Sequence, residues 1–367
     1  MMASTQTLTT WQKKQAALLY FFASDEYLQG LHERVRELQR FVDELLDTSR
    51  EEGRDRFLKS SQWGDRDTSE NWSNHAWSFL ADFGISVARH IADRASEIYH
   101  VTGAYQCGRG MAEFSMQWTL PAEQEQFEAM FASITKYAGY IDDTMNKSQI
   151  DSRWDDFCLA VAWQEHESIF PRLPNFRIRE DISCETGDIP PKTGVYISSE
   201  YPDGALQFAW NGNEYGELLE CSIFNDLGRK ALASVGRHKL WLDENAMLVF
   251  VQKNANAPEL NEDPFYSESF TPDLAPSLVA NNAFTSARSK WYYMELVEGE
   301  FEEIGTETDQ LEHREHRVEA GNRCEMSGFY FSPASPGSRR FYAQGETFPK
   351  LDSAYGNTIW QWDEKQD

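Results

Sequence analysis

No stretch of this 367-residue chain approaches the run of about 18 apolar residues that a membrane-spanning helix needs, so such a helix is excluded. Cysteine is scarce and unpatterned. Cys107, Cys158, Cys184, Cys221 and Cys324 are odd in number, scattered, and never form a Cys-x-x-Cys pair. They read as reduced thiols, outside any disulfide framework or zinc knuckle. Basic residues are also few: 34 Lys and Arg against 60 Asp and Glu leave a net charge of −26. A chain this acidic repels phosphate backbones and anionic lipid surfaces, which argues against nucleic-acid and membrane partners. The same field would steer a basic protein partner, although solubility alone also accounts for it. Residues 1–15 hold no apolar run ahead of a small-residue cleavage site, so a cytoplasmic protein is expected.

The familiar catalytic signatures are missing too. There is no Gly-x-x-x-x-Gly-Lys-Ser/Thr loop, no Gly-x-Ser-x-Gly elbow and no His-Glu-x-x-His. The glycine-rich stretch Gly103–Gly110 lacks a preceding strand and a lysine, and reads as a flexible interhelical loop rather than a phosphate cradle. Cys107 within it reads as a structural thiol. His313 and His316, with Glu312, could share a helix face, but a metal site needs three or four ligands with support behind them. Their highly charged surroundings favour a solvated segment. The pairs Asp142-Asp143 and Asp155-Asp156 would serve acid–base chemistry only if desolvated in a cleft. No cofactor or metal is expected.

What the chain does have is patterned apolar surface, with 41% hydrophobic and 14% aromatic residues, enough for real cores. The first 170 residues read as helix. Leu28, Leu31, Val35, Leu38, Val42 and Leu45 form a seam that suits either a coiled-coil dimer contact or a long helix in an intramolecular bundle. Neighbouring stripes favour the bundle. One is entered at Ser69 and runs through Ala76, Phe79, Leu80, Phe83, Val87, Ile91, Ala95 and Ile98. Another starts at Pro121 and carries Phe127, Met130, Phe131, Ile134, Tyr137, Ala138, Ile141 and Met145. Asp151 is placed to cap a further helix with Trp154, Phe157, Cys158 and Val161.

After Pro171 and Pro174 the period changes. Val195 and Ile197, then Leu206, Phe208 and Trp210, alternate as half-buried strands do, and Asn211-Gly212 follows as a hairpin-turn signal. Met247–Val251 suits a short buried strand, Trp291–Val297 another, and a helix is expected near Asn225–Val235. Residues 254–277, rich in proline and acids, read as a long surface loop. The expected fold class is α+β: an all-helical bundle over 1–172, then a mainly antiparallel β region over 173–367 with one or two helices.

That second half echoes itself. Gly194-Val195-Tyr196-Ile197-Ser198, followed by Phe208, resembles Gly328-Phe329-Tyr330-Phe331-Ser332, followed by Phe341, and a Cys-Glu pair precedes each. Two related strand–turn–strand units are therefore expected over about 184–210 and 324–343, packed beside each other. The chain closes on Trp360-Gln361-Trp362-Asp363, a use of tryptophan that a disordered tail would not make.

Acids are densest from Glu295 to Glu319. Glu298, Glu300, Glu302 and Glu303 follow the aromatic strand directly. With Trp291 and Tyr293 as anchors, and with Asp142 and Asp143 added, they form the expected contact set for a basic protein.

Residues 180–364 resemble the immunity proteins of bacterial polymorphic toxin systems, in the families catalogued as immunity protein 71 and 72. The resemblance is carried in order by Leu227–Leu232, Val235-Gly236-Arg237, Leu240-Trp241, Ala283-Phe284-Thr285, Lys290–Glu295, Gly328, Arg340-Phe341, Gly345, Tyr355-Gly356 and Trp360–Asp363. It implies a non-enzymatic protein that binds and neutralises a cognate toxin, often one delivered by type VI secretion. It implies no contact map, so the repeated glycines and terminal tryptophans are expected to be scaffold. The acidic charge and the expected compartment suggest a cytoplasm-acting toxin such as a nuclease. A carboxylate- or thiol-dependent hydrolase and an effector adaptor or chaperone are the alternatives, and a homo-oligomer is possible but not indicated.

Overall fold

The structure, a computed structural model, describes residues 8–60, 62–264, 271–303, 317–324, 328–332, 335, 337–343, 345–351 and 358–363. The chain divides into two compact units, Met1–Glu302 and Glu303–Asp367. The expected boundary near residue 172 is not a division between units, because the helices and the first sheet share one body.

Six helices come first: α1 (Thr10–Phe22), α2 (Asp25–Glu52), α3 (Ser69–Asp93), α4 (Ala104–Met111), α5 (Pro121–Met145) and α6 (Asp156–His166). Their ends follow local chemistry. Thr9 and Gln12 form a capping box at α1, Ser24 caps α2, and Gly53 in the left-handed region (φ 66°) ends it. The whole Leu28-to-Leu45 seam is buried, and α2 packs against α3 and α5 in the same chain. The intramolecular reading of that seam holds.

Two local expectations are corrected. Gly103–Gly110 is not a flexible loop: Gly103 opens α4, and glycine at 110 lets that helix close on α3, because a Cβ there would lie 2.3 Å from the Phe79 ring. The cap of α6 is Asp155, which accepts the Cys158 N–H at 2.7 Å, and not Asp151.

Next come β1 (Arg172–Glu185), β2 (Gly194–Ser198), β3 (Gln207–Ala209) and β4 (Cys221–Phe224). They are followed by α7 (Asp226–Val235), α8 (Glu244–Lys253), α9 (Pro258–Asn261) and α10 (Ala275–Asn281), then β5 (Phe284–Ala287) and β6 (Lys290–Glu303). Four helices therefore stand where one or two were expected. Met247–Val251 lies in α8 and not in a strand: Asp243 caps the helix, and Met247, Phe250 and Val251 recur at helical spacing on its buried side. The segment expected as a long loop holds α9 and part of α10, with 265–270 outside the described residues. Asn211-Gly212 is no tight hairpin. Gly212 sits where a Cβ would lie 2.3 Å from the carbonyls of Ser96 and Glu97, so it serves close approach.

The first unit holds a four-stranded sheet in the order β1-β6-β2-β3 and a β4-β5 pair. Strands β2 and β3 are buried along their whole length and not half-buried, because α1 packs on them as well as on β1. Helix α1 is also hydrogen-bonded to this region. The Tyr20 hydroxyl donates to the Met294 carbonyl at 2.6 Å, and the Gln15 side chain accepts the Leu206 N–H at 3.1 Å.

The second unit holds β7 (Arg317–Glu319), β8 (Gly328–Phe331), β9 (Arg340–Tyr342) and β10 (Ile359–Trp362), in the order β7-β10-β8-β9. This is the same order: first, last, second, third. The pairing repeats as well. Gly194 faces Ala209 and Tyr196 faces Gln207, while Gly328 faces Tyr342 and Tyr330 faces Arg340. Tyr196 faces Tyr293 on the last strand, as Tyr330 faces Trp362. The corner before each hairpin repeats too. Thr186 N–H bonds the Ser289 carbonyl, and Ala320 N–H the Thr358 carbonyl; Gly187 (φ 91°) and Gly321 (φ 97°) follow, bonding the carbonyls of Leu218 and Phe348. One numbering offset relates Glu185 to Glu319, Gly187 to Gly321, Gly194 to Gly328 and Ser198 to Ser332. By that offset the matching Cys-Glu pairs are coincidental, since Cys184 corresponds to Val318 and not to Cys324. The two units lie in separate sheets. Trp360, 1% exposed, is packed with Cys324, Tyr330, Tyr342 and Phe348, so the closing block is the last strand of the second sheet.

Candidate interaction surfaces

Of the expected contact residues, Trp291 and Tyr293 are corrected first. Both are core residues, exposed by 0% and 6%, packed with Tyr196, Leu218 and Cys221. The Trp291 indole N–H donates to the Thr186 hydroxyl at 3.0 Å. The signal was in the sequence: Trp291-Tyr292-Tyr293-Met294 is apolar without alternation, the mark of a strand covered on both faces.

The acids that follow lie on the outer half of β6, beyond its pairing with β2. Glu298, Glu300 and Glu303 are exposed. Glu302 is half-buried and pairs with Lys13 of α1 at 2.5 Å, so it is tied to the fold. Glu300 accepts from the Asn175 amide at 3.2 Å, and Arg179 of β1 joins Asp181 (2.8 Å) to Glu295 (2.9 Å). The carboxylates of Glu298 and Glu303 make no hydrogen bond or ion pair among the described residues. Beside them stand two residues the sequence reading missed. Phe301 is 54% exposed, with the Arg172 guanidinium 5.1 Å from its ring, and Leu296 is 39% exposed. Gly299 in the left-handed region (φ 76°) interrupts the strand between them, which breaks the period-two pattern that would have placed Phe301 inward.

Asp142 and Asp143 do not act as a pair. Asp142 accepts the Thr102 N–H at 2.5 Å and the Thr102 hydroxyl at 3.0 Å, closing the segment ahead of α4 onto α5. Burial pushes its carboxyl up to about 6, against the pull of these two bonds. Asp143 is exposed.

The other acid pair is also fully employed. Asp155 caps α6. The Asp156 carboxylate, 3% exposed, accepts the indole N–H of Trp11 (2.7 Å), the indole N–H of Trp241 (2.8 Å) and the Arg237 guanidinium (2.5 Å). Trp241 adopts a positive φ of 74°, costly for an aromatic residue, which these bonds and its core neighbours hold in place. Arg237 and Trp241 are both held by this carboxylate, so their work is structural. Cys107 is buried in α4, and desolvation pushes its thiol up to about 12; Cys158, Cys184 and Cys221 are shifted likewise. A thiol so raised is a poor nucleophile at neutral pH. Glu312, His313 and His316 lie outside the described residues.

A pocket of about 470 Å³ opens between α3, α4 and α5, lined half by aromatic and methionine side chains and half by small and polar residues. Among the described residues no group of three His, Cys, Asp or Glu side chains is placed to hold a metal, and no helix is long and apolar enough to cross a membrane. No protein-family model, curated protein or solved structure matches the chain.

Proposed function

We propose that this chain is an immunity protein that binds a cognate antibacterial toxin, delivered by type VI secretion and acting in the cytoplasm, and neutralises it by direct contact. The observation that carries the reading is the outer half of β6. Exposed Phe301 and Leu296 stand among the exposed carboxylates of Glu298, Glu300 and Glu303, on a strand tied to α1 through Glu302 and Lys13. An apolar anchor within a charged rim is how a specific protein interface is built. In a chain of net charge −26 the field favours a basic partner, and a nuclease is the toxin class such a surface would best oppose. The resemblance of residues 180–364 to the immunity 71 and 72 families supports the same reading.

Co-expression with the product of the neighbouring gene tests it, scored by growth rescue and by co-purification. Rescue together with a stable complex is expected; toxicity without a complex would overturn the proposal. An effector adaptor that holds a client on the helices is the second reading, favoured by the pocket between α3, α4 and α5. It predicts a complex without growth rescue.

A further inference from the structure

We infer that the helices of the first unit carry a binding pocket for an organic cation on an apolar stem, an ammonium or guanidinium group borne by an aliphatic or aromatic chain. The pocket lies between α3, α4 and α5. At about 470 Å³ it falls in the range of small-ligand sites. Its walls are built in advance. Trp72 is 1% exposed and Phe127 is buried; their rings meet at 89° with centroids 6.4 Å apart. Phe131 continues the wall, its ring 3° from parallel to that of Phe127 at 6.0 Å. Aromatic rings attract cations over their faces, and Trp72, Phe127 and Phe131 all line the pocket. Met111 and Met116 add adaptable, polarisable surface beside them.

The charge pattern selects the sign of the ligand. Among the described lining residues Glu128 is the one with a formal charge, and no Lys, Arg or His lines the pocket. Its carboxylate is oriented by the Gln124 amide, which donates to it at 2.8 Å. An anion would meet aromatic faces, a carboxylate and a net charge of −26. A neutral stem would gain burial alone. A cation gains burial, the ring faces and the carboxylate. The α4 wall includes Gly108, where a Cβ would meet Phe131 at an ordinary 3.5 Å, so the open volume depends on a residue that tolerates replacement.

The experiment titrates the full chain with phenethylammonium, phenethyl alcohol and phenylpropionate, following the Trp72 indole N–H by NMR. A blocked Leu-Lys-Leu peptide forms the fourth arm. Saturable binding is expected with the ammonium about fivefold tighter than the alcohol, and no binding of the carboxylate. Glu128→Gln should shrink the ammonium–alcohol difference to within twofold. Gly108→Leu, with helicity checked by circular dichroism, should abolish binding of both. A peptide that binds tighter than the free amine assigns the cation to a lysine of a protein partner; an amine that binds as tightly or tighter assigns it to a free ligand. An ammonium no tighter than the alcohol, a selectivity unchanged in Glu128→Gln, or saturable binding that survives in folded Gly108→Leu would each overturn the inference.

Discussion

The sheet of β1, β6, β2 and β3 and the sheet of β7, β10, β8 and β9 share strand order, hairpin register and a left-handed glycine corner, but they are finished differently. Between its third and last strands the first sheet receives four helices and the β4-β5 pair, and it is covered by α1. The second sheet, within Glu303–Asp367, closes on a core of Cys324, Tyr330, Tyr342, Phe348 and Trp360. Equivalent slots acquire different environments. Phe208 is 3% exposed and Phe341 52%, although both stand opposite the second residue of their hairpin's first strand. The Ser198 hydroxyl accepts the N–H of Glu200 and Tyr201 and bonds the Ser289 hydroxyl, whereas the buried Ser332 hydroxyl has no partner among the described residues. The repeat thus sets backbone pairing, and what covers each copy sets side-chain energetics.

The comparison can be broken most severely at the insertion. Asp156→Ala leaves the Arg237 guanidinium and two indole N–H groups without their acceptor and should cost about 3–5 kcal/mol, read by urea unfolding of the full chain. A loss below about 1 kcal/mol would mean that the node does not hold the inserted helices. Next come the equivalent tryptophans: Trp291→Ala and Trp360→Ala each remove a fully buried ring, at about 3–5 kcal/mol. A core the size of the second unit's rarely supplies more than that, so Trp360→Ala should abolish amide protection across β8–β10. Retained protection there would show that the second sheet does not rest on its closing strand.

The helices of the first unit carry a pH signature. Asp142 is raised from 3.8 to about 6, so the folded chain holds its proton more tightly than the unfolded chain does. Stability from this group is therefore present at low pH and lost as pH rises from about 4 to 6. Asp142→Asn should remove that slope and gain on the parent by up to about 3 kcal/mol between pH 4 and pH 7, checked by denaturation at both. Parallel curves for parent and variant would contradict it.

The serine pair sharpens the contrast at smaller scale. Ser198→Ala strands two N–H groups and a hydroxyl and should cost about 1–3 kcal/mol, while Ser332→Ala should lie within about 0.5 kcal/mol of the parent. Equal losses would erase the distinction. The smallest stability effect belongs to the outer half of β6. Glu298→Gln with Glu303→Gln should shift unfolding by less than about 0.5 kcal/mol and, if the proposed basic partner binds here, slow its association and flatten the salt dependence. Unchanged association would remove these residues from the interface.

Much of the frame was legible because it rests on local rules. The Leu28-to-Leu45 seam, the helix near Asn225–Val235, Pro121 at a helix start and the paired Gly-x-Tyr hairpins are each stated within a few residues. The candidate surface was only half legible. Its acids were visible, but its apolar partners were misassigned, because Trp291 and Tyr293 are strand residues whose burial depends on what lies above and below them.

By itself the amino-acid sequence determined the α+β class, the helical first half, the hairpin repeat and the charge that a partner would meet, since periodicity, capping and net charge need no distant contacts. Only the tertiary structure decided that the unit boundary falls near residue 303, that Asp156 is held by Trp11, Arg237 and Trp241, and that Phe301 stays exposed. Each of those depends on which residues far apart in the chain are brought together, and burial and hydrogen-bond partners are properties of that meeting.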